Sequence, residues 1–569
     1  MFRSRSARWV MLGLLVAGAL LRGLNLAGKP LWLDEVLTVL FSSGQTFADF
    51  PRDRWLSLVD LPSLFTVKPL SCGDLAASIS ADSTHPPLFF CAMHQWLAGW
   101  QPDLTQLNFV ARLPAAGLGV VLIAIAYGLG AQLGSTPLGL ISAALMTVSP
   151  LAVYLSQEAR HYTLPMVWIG LGSWLVLQLQ GHFHATSRRH TTPSPANRSP
   201  LTVTPNPVTP SPRRPIPSTR AIWITLAAWS GVSLLGLYTH YFVLLAIAPQ
   251  LLVLIILAGW YRQRWQTWLG LAIAGGTILI GYLPWLPTLL EHTGRSETDW
   301  LAFTPDTWVA WLTPIGQQLI VWIVMVVALP VEHQPLLRQI GSGLLMLLVG
   351  VWVGGRSLQG NWRYLNSQPG IGMFLPATLT TLSPPWVNSP RTSSQPDHSP
   401  LPPAHHGHSP QPTLHRARWF TLVGMVGLIW LEFAVIVYSL GRDLTLAPRY
   451  GFVYYPLLVS LIAIGFAIPL PAGAGQSPAL ANANPAVTQP NPTKPYAVPR
   501  CRALSLAILP SWLRPAPRPA IALILGMGLL SSFCVVADLA FQKPFLPNTV
   551  ATAIATSSDQ PITLVVGYN

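Results

Sequence analysis

Charged and polar side chains of this chain collect at the ends of apolar segments, and the first group contains two adjacent carboxylates. Asp34 and Glu35 follow the first apolar segment, in the sequence Pro-Leu-Trp-Leu-Asp-Glu. A carboxylate close to hydrocarbon is costly unless it is paired or hydrated, so this pair indicates a functional site. Asp34 could act as a general base or bind a divalent cation. A solvated loop is the simpler alternative for Asp34 alone.

A second group lies at the end of another apolar segment, in Ser-Gln-Glu-Ala-Arg-His-Tyr at 156–162. Glu158 and Arg160 could form an ordinary ion pair, with the arginine reaching towards lipid headgroups. His161 and Tyr162 follow directly, and so dense a cluster of ionisable and aromatic groups indicates more than anchoring. Glu158 could orient Arg160 or hold a metal.

Three shorter motifs add histidine and arginine at similar positions. His85 precedes two prolines and could donate to a phosphate or merely cap a helix. His240 and Tyr241 follow an apolar segment, where an aromatic belt explains the tyrosine but not the histidine. Arg449 and Tyr450 precede a later apolar segment, and a fixed arginine suits a lipid phosphate.

The composition places these motifs in a membrane protein. The chain has 569 residues, of which 51% are apolar and only 9% charged, whereas soluble domains carry about 25% charged residues. Many apolar runs are long enough to cross a bilayer as helices, so the predicted fold class is all-α and polytopic. The basic residues 1–8 and the following apolar run resemble a signal peptide, but we interpret them as an uncleaved first span that positions Asp34.

The distribution of charge predicts the orientation. Segment 181–220 has six arginines and no acid, whereas 28–111 has eight acids against four basic residues. This is the positive-inside pattern, with the N-terminus and 181–220 in the cytoplasm. The net charge of +14 therefore reflects topology and attraction to anionic membrane lipids, and it gives little support to nucleic-acid binding.

Apolar segments predict about eleven or twelve spans, and Pro-, Ser- and Thr-rich tracts predict linkers between them. The predicted spans are 9–27, 113–133, 137–155, 164–180, 221–239, 242–259, 267–287, 308–329, 340–354, 419–440, 451–469 and 520–540, with 86–100 as an interfacial helix. The number of crossings between 301 and 383 stays open: one of the runs 308–329 and 340–354 could be interfacial or re-entrant, or 371–382 could be a further short span. The predicted units are an N-terminal transmembrane module at 1–180 with a catalytic outer loop at 28–111, a cytoplasmic loop at 181–220, a central transmembrane region at 221–383, a Pro/His-rich linker at 384–418, a transmembrane pair at 419–469, a cytoplasmic loop at 470–518, and a last span with a short outer tail at 519–569.

The four cysteines show no metal-binding spacing. Cys72 and Cys91 share the first outer loop and could pair in an oxidising compartment, although two free thiols fit the sequence equally well. The cluster at 405–408 contains three histidines that could bind a metal. It lies in a polar, unconstrained tract that disfavours this.

Five short motifs follow one another along the chain: Leu31-Trp32-Leu33-Asp34-Glu35, His85-Pro86-Pro87-Leu88, Arg112-Leu113-Pro114-Ala115, Ser156-Gln157-Glu158-Ala159-Arg160 and Pro448-Arg449-Tyr450. In this order they resemble the GT-C superfamily of membrane glycosyltransferases. The likeness is to the bacterial glycosyltransferase family 39 group, which is related to protein O-mannosyltransferases (dolichyl-phosphate-mannose-protein mannosyltransferases) and aminoarabinose transferases. It implies a GT-C-like bundle with juxtamembrane helices in the first outer loop, a catalytic Asp34, and a polyprenyl-phosphate sugar donor used on the outer face.

The predicted function is transfer of a sugar, hexosyl or pentosyl, from that donor to a hydroxyl of a lipid, glycan or protein, with inversion, in the plasma membrane of a bacterium. The predicted catalytic residues are Asp34 and Glu35, and His85, Arg160, Arg449 and Tyr450 are predicted to bind the donor phosphate. The supporting residues are Glu158, His161, Tyr162, His240 and Tyr241. A divalent ion, Mg²⁺ or Mn²⁺, could bind at Asp34 and Glu158.

Two other classes of protein compete with this prediction. A transporter or a flippase for lipid-linked sugars also needs many spans, but it places polar groups near the bilayer midplane, where Glu432 is the acid that fits. A structural or assembly protein gives no reason for acid, arginine and histidine groups gathered on one face.

Overall fold

The protein is all-helical in the part of the chain that the computed structural model describes, which is residues 5–49, 61–191, 219–366, 414–467 and 517–543. No β-strand occurs in these ranges. The helices are α1 Arg5–Gly23, α2 Leu33–Ser42, α3 Cys72–Asp82, α4 Leu88–Trp100, α5 Leu104–Leu133, α6 Thr136–Val148, α7 Pro150–Ser156, α8 Thr163–Thr191, α9 Thr219–Leu237, α10 Leu244–Trp260, α11 Trp265–Tyr282, α12 Leu286–Thr293, α13 Trp308–Val326, α14 Leu336–Asn366, α15 Leu414–Leu440, α16 Tyr455–Ala467 and α17 Pro517–Val536.

Nine helices or helix runs in the described ranges are long and apolar enough to cross a membrane, and α6 with α7 adds a tenth if the bent pair is one span. Helix α8 is 29 residues long, and α16 is a shorter apolar helix of 13 residues. The chain is therefore an integral membrane protein with several spans, as its composition predicts.

Apolar side chains cover both the inside and the outside of the bundle. The main core includes fully buried Leu129, Leu177 and Trp229 from α5, α8 and α9. Large apolar side chains such as Leu279 and Leu348 are exposed on α11 and α14. In water such a surface would be unfavourable, but it is the surface expected of helices that face lipid.

The loop between α1 and α5 contains three helices with a core of their own, as the resemblance implies for this segment. Helices α2, α3 and α4 bury Val39, Leu75 and Phe90 against one another. Cys72 and Cys91 form a disulfide that joins α3 to α4, which settles the alternative left open by the sequence. This small unit holds the first turn of α2, where Asp34 lies.

The predicted span at 137–155 consists of two helices with a bend between them. Helix α6 ends at Val148 and α7 begins at Pro150, with an angle of 59° between them. The Ser149 hydroxyl accepts the Ala152 N–H at 3.3 Å and donates to the Met325 carbonyl at 2.8 Å. Proline at the first position of a helix and serine at its cap favour a new helix start here. The break directs the turn at 157–162 towards α2.

Other helix ends also differ from the predicted spans. Helix α8 runs beyond the predicted end at 180 and occupies the start of the predicted 181–220 linker. Helix α5 starts at Leu104 rather than at 113, because Asp103 caps it by accepting the N–H groups of Thr105 and Gln106, both at 2.9 Å. The predicted short span at 371–382, the histidine cluster at 405–408 and nearly all of 470–518 lie outside the described residues.

Candidate active site

One cavity of about 650 Å³ gathers most of the predicted site. The first outer loop forms one wall, and the ends of α8, α10, α12 and α15 form the others. Of the predicted residues, the cavity is lined by Asp34, His85, Arg160, Tyr162, His240, Tyr241, Arg449 and Tyr450. Glu35, Glu158 and His161 lie buried behind this lining. Segments that are far apart in the sequence therefore meet in one place.

Asp34 lies in the first turn of α2 and is held near two arginines. Its Oδ2 is 3.5 Å from Nη2 of Arg160 and 3.9 Å from Nη1 of Arg449. Arg160 also donates to the Asp34 carbonyl at 3.1 Å and to Oγ1 of Thr38 at 2.8 Å. The side chain of Asp34 is 26% exposed, so a group in the cavity can reach its carboxylate.

Arg449 reaches this site from a turn between α15 and α16. The 3-10 helix Pro448–Val453 is anchored by Phe452 and Val453, which are fully buried. The guanidinium of Arg449 lies 5.5 Å from the ring centre of Trp32 and 5.9 Å from that of Tyr162. Such cation–π contacts fix a planar cation without consuming its hydrogen-bond donors. Arg449 is therefore available to bind an oxyanion beside Asp34.

Glu35, the second predicted catalytic residue, is buried and lies outside the cavity lining. It is 1% exposed, and it accepts hydrogen bonds from Nε and Nη2 of Arg112 at 2.8 and 2.7 Å. It also accepts the Ala159 N–H at 2.7 Å, while Arg112 donates to the carbonyls of Leu26, Lys29 and Pro30. With its oxygens used in this way, Glu35 joins α2 to the turn that carries Arg160. Its catalytic role stays a prediction, and these contacts are those of a residue that positions the site.

Glu158 pairs with a residue that the sequence did not indicate. Lys543, which follows α17, contacts the carboxylate of Glu158 and the hydroxyl of Tyr154. Its ammonium also lies 3.9 Å from the ring centre of Trp32. Burial alone would raise the pKa of Glu158, but the charge and hydrogen bond of Lys543 hold it below the usual value. One feature of the sequence could have drawn attention to Lys543. It is a lysine at the predicted outer end of a span, where the positive-inside rule disfavours basic residues.

Three histidines from separate turns meet beside these charges. The ring centres of His85 and His161 are 4.5 Å apart, and those of His161 and His240 are 4.7 Å apart. Burial lowers the pKa of each, to about 3 for His240, and the nearby Arg160 lowers it further. All three are therefore neutral imidazoles at physiological pH. Among the described residues, they form a group whose ligand atoms lie within 4.8 Å of one another.

The hydroxyl of Tyr241 is already engaged in a structural network. It contacts Nδ1 of His292 at 2.7 Å and accepts the indole N–H of Trp285 at 3.1 Å. The other ring nitrogen of His292 lies 3.0 Å from the Ser80 carbonyl, so this nitrogen carries the proton and donates it. The network fastens α12 to the first outer loop and closes one side of the cavity. His292 is a further cavity residue that the sequence analysis missed.

Comparisons with known proteins give little beyond this geometry. No protein-family model matches the chain, and no curated protein matches it significantly. Among solved structures, the archaeal oligosaccharyltransferase AglB from Archaeoglobus fulgidus, in complex with an inhibitory peptide and a dolichol-phosphate, matches with a TM-score of 0.38 and 11% identity. The match covers 82% of this chain and 51% of that protein, so this chain spans about half its length. So weak a likeness carries no argument about function.

Proposed function

We propose that this protein is a GT-C-type membrane glycosyltransferase. It would transfer a hexosyl or pentosyl group from a polyprenyl-phosphate donor to a hydroxyl of a lipid, glycan or protein on the outer face of a bacterial plasma membrane. The observation that carries the proposal is the meeting of Asp34, Arg160 and Arg449 in one large cavity at the ends of helices. A base and two planar cations are the groups that displacement of a phosphate needs.

In the proposed reaction, Asp34 takes the proton of the acceptor hydroxyl as its oxygen attacks the anomeric carbon. The bond between that carbon and the phosphate oxygen breaks, and polyprenyl phosphate leaves with the electron pair. A single displacement of this kind inverts the anomeric configuration. Arg160 and Arg449 stabilise the charge that develops on the leaving phosphate.

The contacts between Asp34 and the two arginines leave room for a donor. The distances of 3.5 and 3.9 Å are longer than the usual 2.7–2.9 Å of a charge-assisted hydrogen bond. A donor phosphate would therefore compete with Asp34 for both guanidinium groups and draw them towards itself. The Asp34 carboxylate would then be left to the acceptor hydroxyl, which would couple transfer to binding of the donor.

The position of the site favours an enzyme over a transporter or flippase. The three groups proposed to act in the reaction lie in a turn or in the first turn of a helix: α2 for Asp34, the turn after α7 for Arg160, and the turn before α16 for Arg449. A lipid-linked phosphate lies at this level of a bilayer, whereas transporters bind their substrates near the midplane. Glu432 lies inside α15, apart from the cavity lining.

A divalent ion such as Mg²⁺ or Mn²⁺ at Asp34 or Glu158 remains a prediction. At Glu158 the ion would replace Lys543, which already neutralises that carboxylate. At Asp34 it would compete with the two arginines. The reaction as proposed needs only the residues of this chain.

The direct experiment incubates membranes that contain the protein with a panel of radiolabelled polyprenyl-phosphate sugars. Transfer of label from one donor to a lipid, glycan or protein fraction, absent from membranes with Asp34→Asn, would support the proposal. Movement of intact labelled donor across vesicles without any transfer would favour the flippase instead.

A further inference from the structure

We propose that His85, His161 and His240 form a binding site for a transition metal, suited to Zn²⁺, with its open side towards the cavity. The inference goes beyond the glycosyltransferase proposal, because none of its steps requires a metal. It also differs from the carboxylate site predicted at Asp34 and Glu158. It stands on the contacts, burial and ligand chemistry of the three side chains.

His161 is the centre of the argument. It is fully buried, and neither of its ring nitrogens has a hydrogen-bond partner within the described residues. Its ring is surrounded by the rings of Phe89, Tyr162 and the other two histidines. Leaving a buried N–H and a buried lone pair unsatisfied is unfavourable, and buried polar groups in native proteins are nearly always satisfied. A ligand in the centre of the cluster would satisfy the lone pair.

The arrangement matches the ligand chemistry of zinc. Three imidazoles with an open fourth position form a common catalytic zinc site. The ligand atoms lie within 4.8 Å of one another, so modest rotations about the side-chain bonds bring all three around one ion at the usual Zn–N distance of about 2.0–2.1 Å. Three neutral nitrogens offer little to Mg²⁺ or Ca²⁺, which prefer oxygen ligands.

His85 and His240 each have a hydrogen-bond partner that affects which ring nitrogen could bind a metal. Nδ1 of His85 lies 3.1 Å from the hydroxyl of Ser83, a partner of the kind that fixes the tautomer of a metal-binding histidine. Nδ1 of His240 accepts the N–H of Phe242 at 3.0 Å, which leaves the proton on Nε2. Ligation through Nε2 would therefore move that proton and end this capping bond. The loss of one hydrogen bond is small compared with a gain of three metal–nitrogen bonds.

The residues around the three histidines affect how tightly a metal would bind and which side of the metal stays open. Arg160 lies close enough for its charge to act on all three imidazoles, and this opposes a cation. Its pairing with Asp34 offsets part of that charge. His85 and His240 line the cavity whereas His161 does not, so the fourth ligand position faces the cavity. An oxygen of a bound substrate or water could complete the coordination there.

The test measures metal content and needs no activity. The full-length protein, carrying His405→Ala, His406→Ala and His408→Ala to remove the other histidine cluster, is purified in detergent without a polyhistidine tag. It is stripped with a chelator, loaded with Zn²⁺ or Co²⁺ and desalted. We expect about one metal per chain by elemental analysis, and the visible absorption of four-coordinate Co²⁺. An excess of Mg²⁺ should displace neither ion.

Further substitutions in the protein that lacks His405, His406 and His408 show whether the three-histidine cluster binds the metal. His161→Ala should lower the bound metal at least about tenfold and abolish the cobalt spectrum. If His161→Ala fails to fold, His85→Ala replaces it in the test. It should lose the bound metal and the cobalt spectrum in the same way. The matched control is His292→Gln, a histidine in the same cavity but outside the cluster, which should retain the metal. The proposal is overturned if the parent protein binds no Zn²⁺, or if folded His161→Ala and His85→Ala bind as much as the control.

Discussion

Arg112 on α5 holds Glu35 on α2 through two hydrogen bonds of 2.8 and 2.7 Å, and their side chains are 3% and 1% exposed. Removal of one partner leaves an uncompensated buried charge, which costs about 3–5 kcal/mol. We therefore expect Arg112→Leu to lower the thermal stability of the purified protein and the yield of folded protein. Asp34→Asn, one residue from Glu35, should change neither.

A double variant separates positioning from catalysis. Arg112→Leu with Glu35→Leu removes both charges, so it should recover much of the lost stability. If Glu35→Gln proved as stable as the wild type and merely inactive, Glu35 would be catalytic, as the sequence prediction had it, and the structural assignment would be wrong.

The disulfide between Cys72 and Cys91 predicts a thiol count. The chain has four cysteines, so under denaturing conditions without reductant no more than two should react with maleimide. After reduction all four should react. The protein should come from cells with an oxidising outer compartment. Four reactive thiols before reduction would then contradict the disulfide, and they would also contradict the outer location of the loop.

Arg449 should contribute to donor binding through its planar guanidinium. Charge-assisted contacts are worth about 1.5–3 kcal/mol, so Arg449→Ala should weaken donor affinity by about tenfold to a hundredfold. Arg449→Lys should substitute poorly, because a point charge does not reproduce the bidentate fork or the contact with Trp32. Titration with a labelled donor measures the donor affinity of the wild type, Arg449→Ala and Arg449→Lys. Arg160→Ala and Arg160→Lys are measured in the same way. Equal affinity for Ala, Lys and wild type would show that the arginines only anchor helices.

The pair of Lys543 and Glu158 predicts a dependence of stability on pH. Because Lys543 lowers the pKa of Glu158, the pair contributes its full stability above the unfolded pKa of about 4.3. That contribution is lost as the pH falls through the folded pKa. Lys543→Met leaves Glu158 buried and unpaired, so we expect a loss of about 1–3 kcal/mol near pH 7.

Thermal unfolding at several pH values tests this pair. The stability difference between Lys543→Met and wild type should shrink towards pH 4, and Glu158→Gln in addition should restore part of the loss at pH 7. A difference that did not change between pH 4 and pH 7 would show that Lys543 acts through packing alone.

The sequence predicted more of the site than of the interactions that hold it. Asp34, Arg160 and Arg449 were predictable because charge beside long apolar segments is costly and therefore informative. The contact between Lys543 and Glu158 spans 385 residues, and no local pattern encodes such a pairing. The different surroundings of Asp34 and Glu35 were not predictable, because two adjacent carboxylates look alike in sequence. In the first turn of a helix, however, they point about 100° apart, which sends one into the cavity and the other towards Arg112.

Helix existence was also easier to predict than helix ends. Apolar runs indicated the spans because a bilayer requires about 20 such residues. The break between α6 and α7 depended on Ser149 bonding to the Met325 carbonyl, a tertiary contact. The extension of α8 to Thr191 passes beyond the apolar run that defined its predicted end, since a polar sequence can continue a helix once it has started.

The central claim concerns Asp34, and turnover by the purified Asp34→Asn variant tests it most directly. Asn keeps the size of the side chain but removes its basicity, and general-base catalysis contributes about 10²–10⁴-fold. Asp82→Asn is the matched control, because Asp82 lines the same cavity but accepts the Phe47 N–H at 2.7 Å as a structural bond. The account predicts that Asp34→Asn loses transfer by at least about a hundredfold and binds the donor as tightly as wild type or more tightly, since its arginines are released. Asp82→Asn should retain most of the transfer. Near wild-type turnover by folded Asp34→Asn would contradict the account.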